Sequence, residues 1–183
     1  MTGAEAPPAP RRGPPGLPTL MLLSGVAALS MNVFLPSLPG MARHFDVDYA
    51  VIQLSVTAYL AASAVVQLAI GPLSDRYGRR PVMLGSLGLF VAATAGTLLV
   101  TSAAWFLVFR MAQAVISAGM VLPRAVIRDI APADRAAGLI GYVTMGMSVV
   151  PMAAPILGGA LDEAFGWQAN FVLLAAARPA CPR

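Results

Sequence analysis

Arg110 interrupts a mainly apolar run, about residues 104–126, and Gln113 and Ser117 follow it three and seven positions later. As a helix, this run places Arg110 roughly 10 Å from its nearer end and puts the three side chains on one face. A guanidinium among apolar groups costs about 2.5 kcal/mol or more, so it marks function by default. The alternative is that it snorkels to the surface and only anchors the helix. Arg124 and Arg128 continue the stripe, and such a stripe is expected to face an aqueous cavity. Asn32 lies at a similar depth in another apolar run, where it could meet Arg110 across that cavity. Asparagine forms hydrogen bonds but does not titrate. Tyr59, Ser63 and Gln67 recur every four residues in a third run. They either line the cavity and touch a substrate or join helices through bonds worth about 0.6 kcal/mol each.

Two further stretches carry chemistry. In "GPLSDRYGRRPVM", residues 71–83, Asp75, Arg76, Arg79 and Arg80 crowd a short segment containing Gly71, Pro72, Gly78 and Pro81. The expectation is a turn in which Gly71 allows close helix approach and Pro72 ends the helix. The arginines hold that turn on an anionic lipid leaflet. In "PMAAPILGG", residues 151–159, Pro151 and Pro155 remove helical hydrogen bonds, while Ala154 and Gly158 form a small-xxx-small pair for close packing. Cys181 is the one cysteine, which leaves no disulfide or thiolate metal site within one chain. His44 has no histidine partner and is expected to be solvated. Neither an enzyme site nor a cofactor emerges from these residues.

The elements that position these residues are membrane helices. The 183-residue chain is 58% hydrophobic and 11% charged, where soluble domains carry about a quarter charged residues. Apolar segments fall at about 18–39, 50–71, 81–100, 104–126 and 138–160, each near the length needed to cross a bilayer. Backbone groups find no partner in lipid, so the segments are expected to be helices. No carboxylate lies within any of the five. All twelve basic residues are arginine, and their placement between apolar runs points to topology rather than nucleic acid. With the N-terminus inside, Arg11, Arg12, Arg76, Arg79, Arg80, Arg124, Arg128 and Arg135 are cytoplasmic and Arg43 is outside, a strong positive-inside bias. Trp105 and Trp167 are expected at the outer interface. Residues 1–16 read as a disordered cytoplasmic tail and 17–176 as the transmembrane domain.

The segment from Gln67 to Val82, "QLAIGPLSDRYGRRPV", resembles the loop signature of major facilitator transporters, and most of all their Bcr/CflA-like drug-efflux branch. "RMAQ" at 110–113, "AGMVLPRAVIRD" at 118–129 and "PMAAPILGG" at 151–159 match in order, and "NVFLPSLP" from Asn32 fits the first helix. The resemblance covers about 24–172. It implies an all-α integral membrane protein: the N-terminal six-helix half of a major facilitator fold, with five full helices and a partial sixth. It implies multidrug or other small-molecule efflux by alternating access, coupled to protons in the intact family, and a multi-pass location in the inner membrane. Its partners would be membrane lipid, a drug-like substrate and the second half.

By this resemblance the substrate cavity takes Asn32, Tyr59, Ser63, Gln67, Arg110, Gln113 and Ser117. The loop motif takes Gly71, Pro72, Asp75, Arg76, Gly78, Arg79 and Arg80, with Asp75 contacting the second half. The fifth-helix motif takes Pro151, Pro155, Gly158 and Gly159, bent against the second half. Related transporters usually carry a proton-accepting aspartate where Asn32 stands. The sixth segment, "ANFVLLAAA" from Ala169, is about half a span long and is followed by "RPACPR". The chain is therefore expected to be a truncation or frameshift product, with 177–183 an aberrant tail. The alternative function is a non-transporting fragment, or a half that needs a second chain.

Overall fold

The computed structural model describes residues 16–177, apart from the side chain of Ala133. Most of the expected N-terminal tail, the tail from residue 178, and with them Arg11, Arg12 and Cys181, lie outside the described residues.

Among the described residues, five helices are long and apolar enough to cross a membrane. The first span is α1 (Leu17–Asn32) followed by α2 (Leu38–His44), with a tight 3-10 turn at Leu35–Ser37 between them. Pro36 explains the break: it has no N–H to offer the Asn32 carbonyl four residues back. The second span is α3 (Tyr49–Tyr77), capped by Asp48, whose carboxylate accepts from the Ala50 amide at 2.7 Å. The third is α4 (Arg79–Leu99). The fourth is α5 (Ala103–Gln113) and α6 (Ala118–Ile130), with a 3-10 turn at Ala114–Ser117 between them. The fifth is α7 (Ala133–Phe165), and the nine-residue α8 (Gln168–Ala176) begins a sixth.

The helices run past the expected boundaries, most of all at the loop motif. Gly71, Pro72, Asp75 and Arg76 belong to α3, and the turn is Gly78 alone, at φ +91°. That left-handed conformation favours glycine. Pro72 therefore does not end the helix, because a spanning helix can re-satisfy the backbone groups that proline frees. Nor does Gly71 serve a close approach among the described residues, since beyond its own stretch of helix none of their atoms lies within 4 Å of where its Cβ would be. The α7 helix likewise runs unbroken through Pro151 and Pro155.

The first span sits innermost, against the fourth and fifth. The Ser24 hydroxyl donates to the Gly119 carbonyl at 2.9 Å. Gly158 lets α7 lie directly on the Val33 carbonyl, which any added Cβ would strike. By contrast, α3 and α7 leave large apolar side chains exposed, including Val65, Leu68, Met152 and Ile156.

At the end of the bundle opposite Gly78, rings pack together. Trp167, between the end of α7 and the start of α8, is buried and stands edge-on to Phe106 and Phe171 at 6.2 and 5.8 Å. His44, expected to be merely solvated, meets Phe45 and Trp167 at 5.0 and 5.4 Å, although it stays exposed. Trp105 is exposed.

Candidate functional site

Arg110 falls on the inward face of α5, one turn after Phe106 and just before Gln113, and all three are buried. Its relative exposure is 0%. The Nη2 group donates to the Ser30 carbonyl at 2.7 Å, and Nη1 donates to Gln113 Oε1 at 2.7 Å. The guanidinium carbon lies 3.8 Å from the centre of the Phe34 ring and 4.2 Å from that of Tyr59. Desolvated cation–ring contacts of this kind are worth about 2 kcal/mol or more each.

The Ser30 carbonyl is available because α1 stops two residues later. The last four carbonyls of a helix lack helical donors, and Arg110 takes one of them. On the other side, Gln113 Nε2 donates to Thr94 Oγ1 at 3.1 Å and lies 3.5 Å from Thr97 Oγ1. Both threonine hydroxyls spend their protons on α4 carbonyls, Phe90 and Thr94, at 2.7 Å, so they are left to accept. One guanidinium thus ties together the first four spans. Among the described residues it has no carboxylate partner. Its charge is met by carbonyl dipoles and ring faces. Its Nε, together with the hydroxyls of Ser30, Ser55 and Ser63, is buried without a partner among those residues.

Of the expected cavity residues, Tyr59, Ser63, Arg110, Gln113 and Ser117 are buried together, and Ser117 Oγ reaches the Ser63 carbonyl only at 3.4 Å. The stripe is therefore enclosed by helices, where an aqueous cavity was expected. Asn32 does not meet Arg110: its Nδ2 donates back to the Ala28 carbonyl at 2.8 Å, and Ser30 takes the place expected for it. Gln67 is exposed. Each four-residue step along a helix turns the side chain by about 40°, so two steps carry Gln67 off the face that Tyr59 occupies. Arg124 is half-buried with Nη2 3.8 Å from Met147 Sδ, and Arg128 is exposed, so neither extends the network.

Beside Gly78, Arg79 pairs with Asp75 at 2.8 Å and with Asp129 of α6 at 3.1 Å, and it also donates to the Ser74 hydroxyl. Ser74 in turn donates to the Gly71 carbonyl at 2.9 Å. Arg76 and Arg80 are exposed.

Residues 20–177 match the family model described as Major Facilitator Superfamily. The chain belongs to that superfamily. It is 39% identical over 161 residues to the chloramphenicol resistance protein of Pseudomonas aeruginosa, covering 85% of this chain and 38% of that one. It is 33% identical to multidrug resistance protein D of Escherichia coli strain K12, with 85% and 40% covered. The bicyclomycin resistance protein homolog of Haemophilus influenzae is 31% identical, with 85% and 39% covered. The chain thus spans about two-fifths of the length of these relatives. Its all-α architecture is that of the N-terminal half of the major facilitator fold.

Within this facilitator half one face of the fifth-helix motif, carrying Ala154 and Gly158, packs inward. Gly158 is buried against Val33, and Gly159 lies beside Pro36. The expectation that this motif bends against a second half therefore does not hold for Gly158, because its neighbour is the break in the first span. Pro151 is exposed and Pro155 half-buried. Sequence reasoning missed Ser30, Phe34, Thr94, Thr97 and Asn170. Ser30 contributes a backbone atom, which no residue type announces. The threonines show only as hydroxyls on one face of the third apolar segment.

Proposed function

We propose that this chain forms the N-terminal half of a transporter that exports small drug-like molecules by alternating access, with protons as the coupling ion. The observation that carries the reading is the enclosed Arg110 guanidinium. It spends one hydrogen bond and both ring contacts on neighbouring spans and its other hydrogen bond on Gln113 of its own helix, at a cost that packing alone does not require. The naming of several relatives for resistance to chloramphenicol, bicyclomycin or many drugs supports the substrate class.

In this reading Tyr59, Ser63, Arg110, Gln113 and Ser117 form the wall that opens to substrate when the spans move, and Asn32 and Gln67 lie at its margin. Asp75, Arg79 and Asp129 latch the Gly78 turn to α6. Asn32 cannot carry the proton, so the coupling carboxylate is placed elsewhere. The arginine bias puts the Gly78 turn and the N-terminus on the inner face of the cell membrane.

A second reading, that the half works only with another chain, draws on α3 and α7, which are less buried within this chain than the first and fourth spans. Chloramphenicol accumulation in drug-sensitive bacteria distinguishes the two. The chain is produced alone, and together with the C-terminal part of the Pseudomonas aeruginosa relative. Lower accumulation that depends on Arg110 supports export, and the strain in which it occurs shows whether a second chain is needed. Accumulation equal to that of empty cells in both strains contradicts the proposal.

A further inference from the structure

Asn170 of α8 is fully buried. Its Nδ2 donates to Ser37 Oγ at 2.9 Å and to the Gly158 carbonyl at 3.2 Å. A peptide carbonyl only accepts, so the nitrogen must be the atom that faces Gly158. The other end of the amide, Oδ1, is buried with no donor among the described residues. As packing material, a half-satisfied amide is inferior to a leucine of similar size, which leaves no polar atom stranded. The side chain is therefore to be explained by what its nitrogen holds.

That nitrogen holds the break in the first span at both ends. Ser37 closes the turn, its amide donating to the Phe34 carbonyl at 3.0 Å. Gly158 lies on the Val33 carbonyl, where the turn begins. Between these points is Phe34, whose ring faces Arg110 and lies 6.5 Å from the ring of Phe171. Phe171 is the residue after Asn170. We infer that Asn170 is a positioning residue: it fixes the bend of the first span and, with Phe171, seats Phe34 under Arg110. Only the consequence for export rests on the transport reading, because the positioning itself is a property of the fold.

Hydrogen–deuterium exchange on the full chain in lipid nanodiscs tests this. Asn170→Leu is expected to speed exchange of the Ser37 and Leu38 amides by about tenfold or more while leaving the α4 amides unchanged. Its thermal midpoint is expected to match or exceed that of the unmodified chain. Ser37→Ala, a smaller change, is expected to give the same local acceleration. The exchange pair Ser37→Asn with Asn170→Ser is expected to restore slow exchange. Slow exchange at Ser37 and Leu38 in either single variant overturns the inference. So does acceleration spread evenly over all helices with a lowered midpoint, the mark of a mere core filler. In cells where the unmodified protein exports drug, Asn170→Leu is expected to abolish the Arg110-dependent part. Absence of export by the unmodified protein counts against the transport reading alone, since the exchange result does not depend on it.

Discussion

Arg110 in the fourth span donates to the backbone carbonyl of Ser30 in the first, at 2.7 Å. The acceptor exists because Pro36 stops α1 at Asn32, so a helix break in one span is what allows a charge to be housed in another. The guanidinium serves two acceptors and two rings at once, and a compact ammonium has neither the fork nor the plane to do so.

Arg110→Lys is therefore expected to destabilise the chain, although it keeps the charge. Lysine leaves either Ser30 or Gln113 without its donor, at about 1–3 kcal/mol. Thermal unfolding in detergent should show a lower midpoint, and an unchanged midpoint would mean that the paired geometry contributes little.

Gln113 joins the guanidinium to α4. Gln113→Leu strands Arg110 Nη1, whereas Gln113→Leu combined with Arg110→Met strands neither. The double variant is expected to recover part of the loss, giving a coupling of about 0.5–3 kcal/mol in a double-mutant cycle by denaturant unfolding. Additive losses would show that the two side chains act independently.

Two glycines of similar appearance in the sequence should respond in opposite ways. Gly158→Ala drives a methyl group into the Val33 carbonyl, backbone against helix, and is expected to cost more than the roughly 1–3 kcal/mol of ordinary overpacking. Gly71→Ala meets no atom of the described residues within 4 Å beyond its own stretch of helix and lies inside α3, so it is expected to be neutral or to stabilise by up to about 1 kcal/mol. Parallel thermal melts of the two variants check the contrast.

The contrast marks what the sequence makes legible. Apolar run length discloses the five spans, and a guanidinium in such a run discloses Arg110, because both follow from the cost of polar groups in lipid. Residue order around Gly78 discloses the family. The course of the chain through Gly71 and Pro72 is not legible, since proline is tolerated once the environment re-satisfies the freed backbone groups. The partners of Arg110 are hidden for other reasons. Ser30 offers a carbonyl whose availability depends on a break six residues further on, and Phe34 and Tyr59 offer ring faces whose aim only packing decides. Asn32, at the right depth, turns instead to its own helix.

The Arg79 pairs with Asp75 and Asp129 are partly exposed, and such pairs contribute about 0–1 kcal/mol each. Arg79→Ala is expected to lower stability by that order at low salt. The difference should shrink at about 1 M salt, where the screening length falls to roughly 3 Å. A loss that is the same at both salt concentrations would assign the role of Arg79 to its contact with Ser74 and to packing.

The most direct measurement is chloramphenicol accumulation by cells producing Arg110→Met, in whichever pairing of chains the unmodified protein exports, alongside the thermal midpoint of the same variant. Methionine fills the enclosed space without a charge to desolvate but leaves the Ser30 carbonyl and Gln113 Oε1 without their donor, so the fold is expected to hold at a lower midpoint. Accumulation is expected to rise to the level of cells without the transporter. Export by Arg110→Met at the unmodified rate would contradict the account, leaving Arg110 a structural charge and nothing more.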